Sequence, residues 1–214
     1  MCWNAQVSML TFISSFLMCM YLWYRNLYND RPIALWIFTF SLMQLFEVFM
    51  WLDINNKKNW NNISTKLSLP FILLQPFVLG LAILFYGNHY DNQYVKIFLY
   101  FITIITGFRA ILALVYVLFD NKKWVSKKGP NCHLIWYFIE NINKLPPLMN
   151  VNHFGIFDIL LFLCMIPIKE SLFYSIFGIV TYYASMYIYG LEMGSMWCWI
   201  ANLLGIYAIL IKEL

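Results

Sequence analysis

Ile97-Phe-Leu-Tyr-Phe-Ile-Thr-Ile-Ile-Thr-Gly-Phe-Arg109-Ala-Ile-Leu-Ala-Leu-Val-Tyr-Val-Leu-Phe119 decides the fold class, because it is apolar on every side of a helix and carries one formal charge. A helix rises about 1.5 Å per residue and the hydrocarbon core of a bilayer is about 30 Å thick, so about 20 such residues cross it. The rest of the chain is similar: 62% of its 214 residues are hydrophobic, 20% aromatic and 11% charged, with mean hydropathy +0.67. Soluble domains carry about 25% charged residues, and water would leave this much apolar surface as adhesive patches. Lipid removes that difficulty, and the Trp and Tyr content suits headgroup level.

Working outward, the same criterion predicts an all-α integral membrane protein with seven transmembrane helices in one domain, residues 1–214. The spans are expected at about 4–24, 33–53, 67–87, 97–119, 148–168, 171–190 and 193–211. Pro70, Gln75 and Pro76 fall inside the third, where neighbouring helices can satisfy the carbonyls that proline leaves without a donor. Residues 120–147 form a hydrophilic, interfacial loop. Within it, His133-Leu-Ile-Trp-Tyr-Phe138 is too short to cross and reads as an interfacial helix, with a buried loop segment as the alternative. Ser171 to Ile211 has one charge, Glu192, and is long enough for two spans with Gly190-Leu-Glu-Met-Gly194 as the hairpin.

Basic residues set orientation. Eight (Lys57, Lys58, Lys66, Lys122, Lys123, Lys127, Lys128 and Lys144) lie on the side of the N-terminus and five (Arg25, Arg31, Lys96, Lys169 and Lys212) on the other, which predicts a cytoplasmic N-terminus. The Asn62-Ile63-Ser64 sequon would then be unused. The first apolar run lacks a basic flank and a small-residue cleavage site, so it is expected to insert and stay. The five cysteines (Cys2, Cys19, Cys132, Cys164 and Cys198) read as packing residues rather than a disulfide framework. The net charge of +4 forms no stripe long enough to track phosphates, so the expected partner is anionic lipid rather than nucleic acid.

Ionisable groups in hydrocarbon cost about 2.5–3.5 kcal/mol each at a helix centre and so draw attention. Glu47, Arg109 and Asp158 are the three. By rise alone Arg109 and Asp158 share the midplane, where a forked guanidinium–carboxylate pair would cancel both charges. Glu47 sits nearer the N-terminal side, with Ser41 and Gln44 on roughly the same face and Gln75 at comparable depth. This polar centre is expected to open past Asp53 and Glu192. Two readings stand side by side: a glue between helices, and a pathway for a small solute or ion. His89, His133 and His153 have no metal-ligand spacing, no serine has a neighbouring His/Asp arrangement, and Gly-rich phosphate loops are missing. No enzyme activity and no cofactor are expected.

Two resemblances add to this. Tyr189-Gly190 with Asn202-Leu-Leu-Gly205 is similar to the last hairpin of PQ-loop-like, sugar-transporting proteins, which implies a 3+1+3 arrangement and an asparagine, Asn202, on the substrate path. Pro167-Ile168 departs from their Pro-Gln pair. The segments Met1-Cys-Trp-Asn-Ala-Gln-Val-Ser8, Ser41-Leu-Met-Gln-Leu-Phe-Glu47 and Gly194-Ser-Met-Trp-Cys198 together resemble an uncharacterised multi-pass family of large DNA viruses of protists and algae. That resemblance implies a virion or host internal membrane and brings no activity with it.

Overall fold

A computed structural model of the chain describes residues 3–27, 29–87, 93–146, 149, 163–164 and 171–210. Four long helices come first: α1 (Ala5–Arg25), α2 (Asp30–Leu52), α3 (Trp60–Tyr86) and α4 (Gln93–Phe119). A folded loop follows, with strands β1 (Lys127–Lys128) and β2 (Leu134–Ile135), a one-turn helix α5 (Tyr137–Glu140) and a 3₁₀ turn (Ile142–Lys144). The chain then forms α6 (Ser171–Tyr189), a 3₁₀ turn (Gly190–Glu192), α7 (Met193–Ala201) and α8 (Leu203–Leu210).

Among the described residues, five helical stretches are long and apolar enough to cross a membrane: α1, α2, α3, α4 and the run Phe173–Leu210. This fits an all-α membrane protein. The last run is bent back on itself. Gly190 takes φ +55°, a left-handed conformation that a side chain disfavours. Beyond it Tyr182 meets Trp197 at 5.5 Å between ring centroids and Tyr174 meets Tyr207 at 5.7 Å, so α6 runs antiparallel to α7 and α8. The hairpin lies where Gly190 to Gly194 predicts it. Most of the expected span at 148–168, Asp158 included, lies outside the described residues.

Helix ends follow local chemistry. Asn4 caps α1 by accepting the Val7 N–H at 3.0 Å, and Asn26 closes it in the left-handed region at φ 50°. Asp53 ends α2 and starts α3: its carboxylate accepts the N–H groups of Lys57 (2.7 Å), Lys58 (3.0 Å) and Trp60 (2.9 Å). Burial pushes this carboxyl up, but the N–H donors outweigh it and hold the group below the ordinary aspartate value. α3 starts at Trp60 rather than near residue 67, because its polar first turns grip the loop after α4. Asn61 accepts the Ser126 N–H at 2.9 Å and donates to the Ser126 carbonyl at 2.9 Å, while Thr65 meets the Ser126 hydroxyl at 2.8 Å.

α2 is the central helix. It packs on α1, α3, α7 and α8, and α3 in turn packs on α4. Small residues allow the last contact: a Cβ on Gly107 would lie 2.7 Å from the Phe77 ring, and one on Gly80 would strike Thr103. At the opposite end from the N-terminus, Arg25 ties three helices together. Its Nε and Nη2 fork onto Asp30 at 2.7 Å each, and Nη1 and Nη2 reach the Ile209 and Ala208 carbonyls at 2.8 and 2.7 Å. The carbonyls in the last turn of a helix lack intrahelical donors, so α8 gains its cap from α1. The outer face of α4 presents Ile104, Phe108, Ile111 and Leu118, each more than half exposed, at helical spacing.

The loop after α4 is a cap rather than an interfacial helix. Leu134 and Ile135 pair with Lys128 and Lys127 as a two-residue hairpin, and only Tyr137–Glu140 is α-helical. Trp124, Leu134, Trp136 and Phe138 are buried at 2% exposure or less and join the same core as the helices, the buried alternative. Cys132 is disulfide-bonded, which corrects the reading of all five cysteines as packing residues; Cys19, Cys164 and Cys198 are free and buried. The N-terminal segment lies along this cap, with the Trp3 N–H donating to the Cys132 carbonyl at 3.2 Å.

Candidate functional site

Glu47 is fully buried in α2, reached from three directions by polar side chains. Ser8 of α1 donates to its Oε2 at 3.3 Å. Ser195 of α7 and the indole of Trp136 in the cap approach the same carboxylate. Neither of those two completes a hydrogen bond, and Oε1 of Glu47 has none. One turn back on α2, Gln44 is fully buried with neither amide atom bonded, and Gln75 of α3 is in the same condition. Ser41 is satisfied locally, donating to the Phe38 carbonyl at 2.8 Å.

A small cavity of about 30 Å³ lies beside this cluster, lined by Gln75, Trp136, Tyr182, Trp197 and Cys198 among others. That is room for about one water-sized molecule. Its wall is almost wholly apolar, with Gln75 the one amide side chain among the lining residues. Asn202 stands at the joint between α7 and α8. Its Nδ2 donates to the Cys198 carbonyl at 2.7 Å, while its Oδ1 is buried without a partner.

Of the residues singled out by sequence, Glu47 and Gln44 stand together on α2, Gln75 faces the adjoining cavity, and Asn202 is linked to it through Cys198. Arg109 is buried, 3% exposed, on α4 across from α3. Its expected partner Asp158 lies outside the described residues. Asp53 and Glu192, expected to flank the opening of the centre, both bond to backbone N–H groups. Asp53 is committed to the turn before α3, and Glu192 accepts the N–H groups of Asn131 (2.9 Å) and His133 (2.8 Å), drawing the cap over that end. His133 is wedged between the rings of Trp3 at 4.9 Å and Tyr189 at 5.0 Å.

Sequence reasoning missed Ser8, Ser195 and Trp136 as neighbours of Glu47. Ser8, Glu47 and Ser195 come from three segments far apart in the sequence, and the fold brings them to one point. For Trp136 no local signal existed, since its approach depends on how the cap folds.

Among the described residues, eight buried polar atoms of Gln44, Glu47, Gln75, Trp136, Ser195 and Asn202 make no hydrogen bond. An unsatisfied buried polar atom costs about 1–3 kcal/mol, so together they would cost as much as the whole 5–15 kcal/mol by which proteins are stable. The Glu47 carboxylate, with the Gln44 amide one turn away and the Ser8 and Ser195 hydroxyls beside it, is a buried polar cluster of the kind that can bind a cation, a proton-carrying water or a small polar solute. No protein-family model, curated protein or solved structure matches the chain.

Proposed function

We propose that the protein is a multi-pass membrane protein that moves a small solute or ion through the polar centre around Glu47. The stretch 148–168 would supply a seventh span, and with it Asp158. The observation that carries this reading is the set of buried, unpartnered polar atoms beside a cavity of about 30 Å³, at the meeting of α1, α2, α3 and α7. Helix glue normally satisfies its own hydrogen bonds; a pathway keeps donors and acceptors open for what passes.

The test is flux in proteoliposomes loaded with a pH-sensitive or alkali-ion-sensitive dye. Wild type is expected to dissipate an imposed proton or cation gradient, and Glu47→Gln to remove that flux while the protein stays folded in the membrane. A silent wild type, or an unaffected Glu47→Gln, would count against transport.

The second reading, a structural or interaction protein of a viral or host membrane, draws on the cap that closes the N-terminal end. It expects no flux and a loss of abundance on the same substitution. The disulfide at Cys132 supports an oxidising environment at the N-terminal face, opposite to the orientation that basic residues predict. Glycosylation is a poor reporter here, because Asn62 is tied down: its Nδ2 donates to Asn59 and its Oδ1 accepts the Trp124 N–H at 2.7 Å.

A further inference from the structure

We infer that the groove between α1 and α2, at the end of the bundle away from the N-terminus, is a binding site for an anionic glycerophospholipid. The inference rests on the membrane reading and is independent of transport. The groove encloses about 540 Å³ and is lined by Phe16, Met20, Trp23, Arg31, Leu35 and Phe38, with Cys19, Tyr24 and Ala34. That volume is within the range of about 300–1,000 Å³ seen for small-molecule sites.

Its lining is graded along the membrane normal. The eight-residue step from Phe16 to Tyr24 rises about 12 Å, close to half the hydrocarbon thickness. Phe16 and Phe38 stand at the deep end, while Trp23, Tyr24 and Arg31 stand at headgroup level, where aromatic rings and cations belong. The groove is therefore apolar where an acyl chain would lie and cationic where a phosphate would lie.

The two arginines at this end are used differently. Arg25 spends its guanidinium on Asp30 and on the Ala208 and Ile209 carbonyls. Among the described residues no carboxylate pairs with Arg31. Its guanidinium is instead held by rings, 5.2 Å from the Trp23 centroid and 5.7 Å from that of Tyr86, and its buried Nε makes no hydrogen bond. A cation fixed in this way, at the mouth of an apolar groove, offers a planar fork to a phosphate.

The test is native mass spectrometry of the full chain in detergent, titrated with phosphatidylglycerol or phosphatidylcholine of the same acyl chains. Wild type is expected to retain phosphatidylglycerol about fivefold better, the factor one cation near a surface supplies. Arg31→Gln should abolish the preference and Leu35→Trp, which fills the groove, should weaken both lipids. Lys57→Gln, at the far end, should change neither. Equal retention of the two lipids by wild type, or an unchanged preference in Arg31→Gln, overturns the assignment. If Arg31→Gln does not fold, the assignment stands or falls on whether Leu35→Trp lowers phosphatidylglycerol retention.

Discussion

The Ser8 hydroxyl donates to the Glu47 carboxylate at 3.3 Å, a contact between residues 39 positions apart that fastens the first helix to the second at the centre of the bundle. Buried hydrogen bonds between membrane helices contribute about 0.6 kcal/mol on average, because the unfolded chain in lipid finds other partners. A double-mutant cycle of Ser8→Ala and Glu47→Gln, read by unfolding in mixed micelles, is therefore expected to give a coupling of about 0.5–1.5 kcal/mol. A coupling near zero would mean that Ser8 does not hold the carboxylate.

The Arg25–Asp30 fork should matter more. Both side chains are largely buried, at 13% and 7% exposure, and the guanidinium also caps α8. Removing one partner of such a pair costs about 3–5 kcal/mol when burial is complete. Arg25→Ala is expected to cost about 3 kcal/mol in the same assay, more than Asp30→Asn, since only the arginine change also uncaps the Ala208 and Ile209 carbonyls.

The close approach of α3 and α4 depends on glycine. A methyl group on Gly107 would lie 2.7 Å from the Phe77 ring. Gly107→Ala should therefore destabilise by about 1–3 kcal/mol, the usual range for overpacking. Gly107→Ala combined with Phe77→Leu should recover part of that loss.

Acid should loosen the cap before it disturbs the helices. Burial holds His133 below its ordinary value of 6.5, with the charge of Glu192 pulling the other way. The unfolded chain then takes up a proton near 6.5 that the folded chain resists, so stability is lost as pH falls from 6.5 through the folded value. Thermal midpoints in detergent should drop over that interval in wild type and flatten in His133→Gln. Asp53 and Asp120 are both held below 3.8 by donors that outweigh their burial, so their contribution is lost only at lower pH.

Thiol chemistry offers a separate check. Under non-reducing conditions Cys132 should resist alkylation, and a mild reductant should make it reactive while Cys19, Cys164 and Cys198 remain protected by burial. Peptide mapping after labelling reads both outcomes.

What was legible in the sequence was whatever a run of apolar residues or a single turn residue determines. α1 was expected at about 4–24 and is found at Ala5–Arg25, and the hairpin turns at Gly190 as its spacing suggests. The start of α3 was not legible, because Trp60 to Lys66 is polar and the hydrocarbon criterion stops there. Those residues are helical for another reason, the contacts of Asn61 and Thr65 with Ser126, more than 60 positions away. The cap was legible in part: Leu134 to Phe138 is an apolar run too short to cross, with burial as one of its two readings, but Trp124, set apart from it by Lys127, Lys128 and Asn131, gives no such sign. Glu47 was conspicuous as a charge in lipid. Its neighbours Ser8, Ser195 and Trp136 were not, since neither serine nor tryptophan is costly enough in a membrane to stand out.

The Glu192 carboxylate latches the cap to the hairpin. It sits in the turn of the α6–α7 hairpin and holds the backbone of Asn131 and His133, while Trp136, a few residues on, covers Glu47. Each charge-assisted bond contributes about 1.5–3 kcal/mol, so releasing both costs about 3–6 kcal/mol, and an unassisted opening would be a rare excursion. Separation of the cap from the hairpin is thus set by whatever can take those two N–H groups off the carboxylate, and while they hold, hairpin and cap move together.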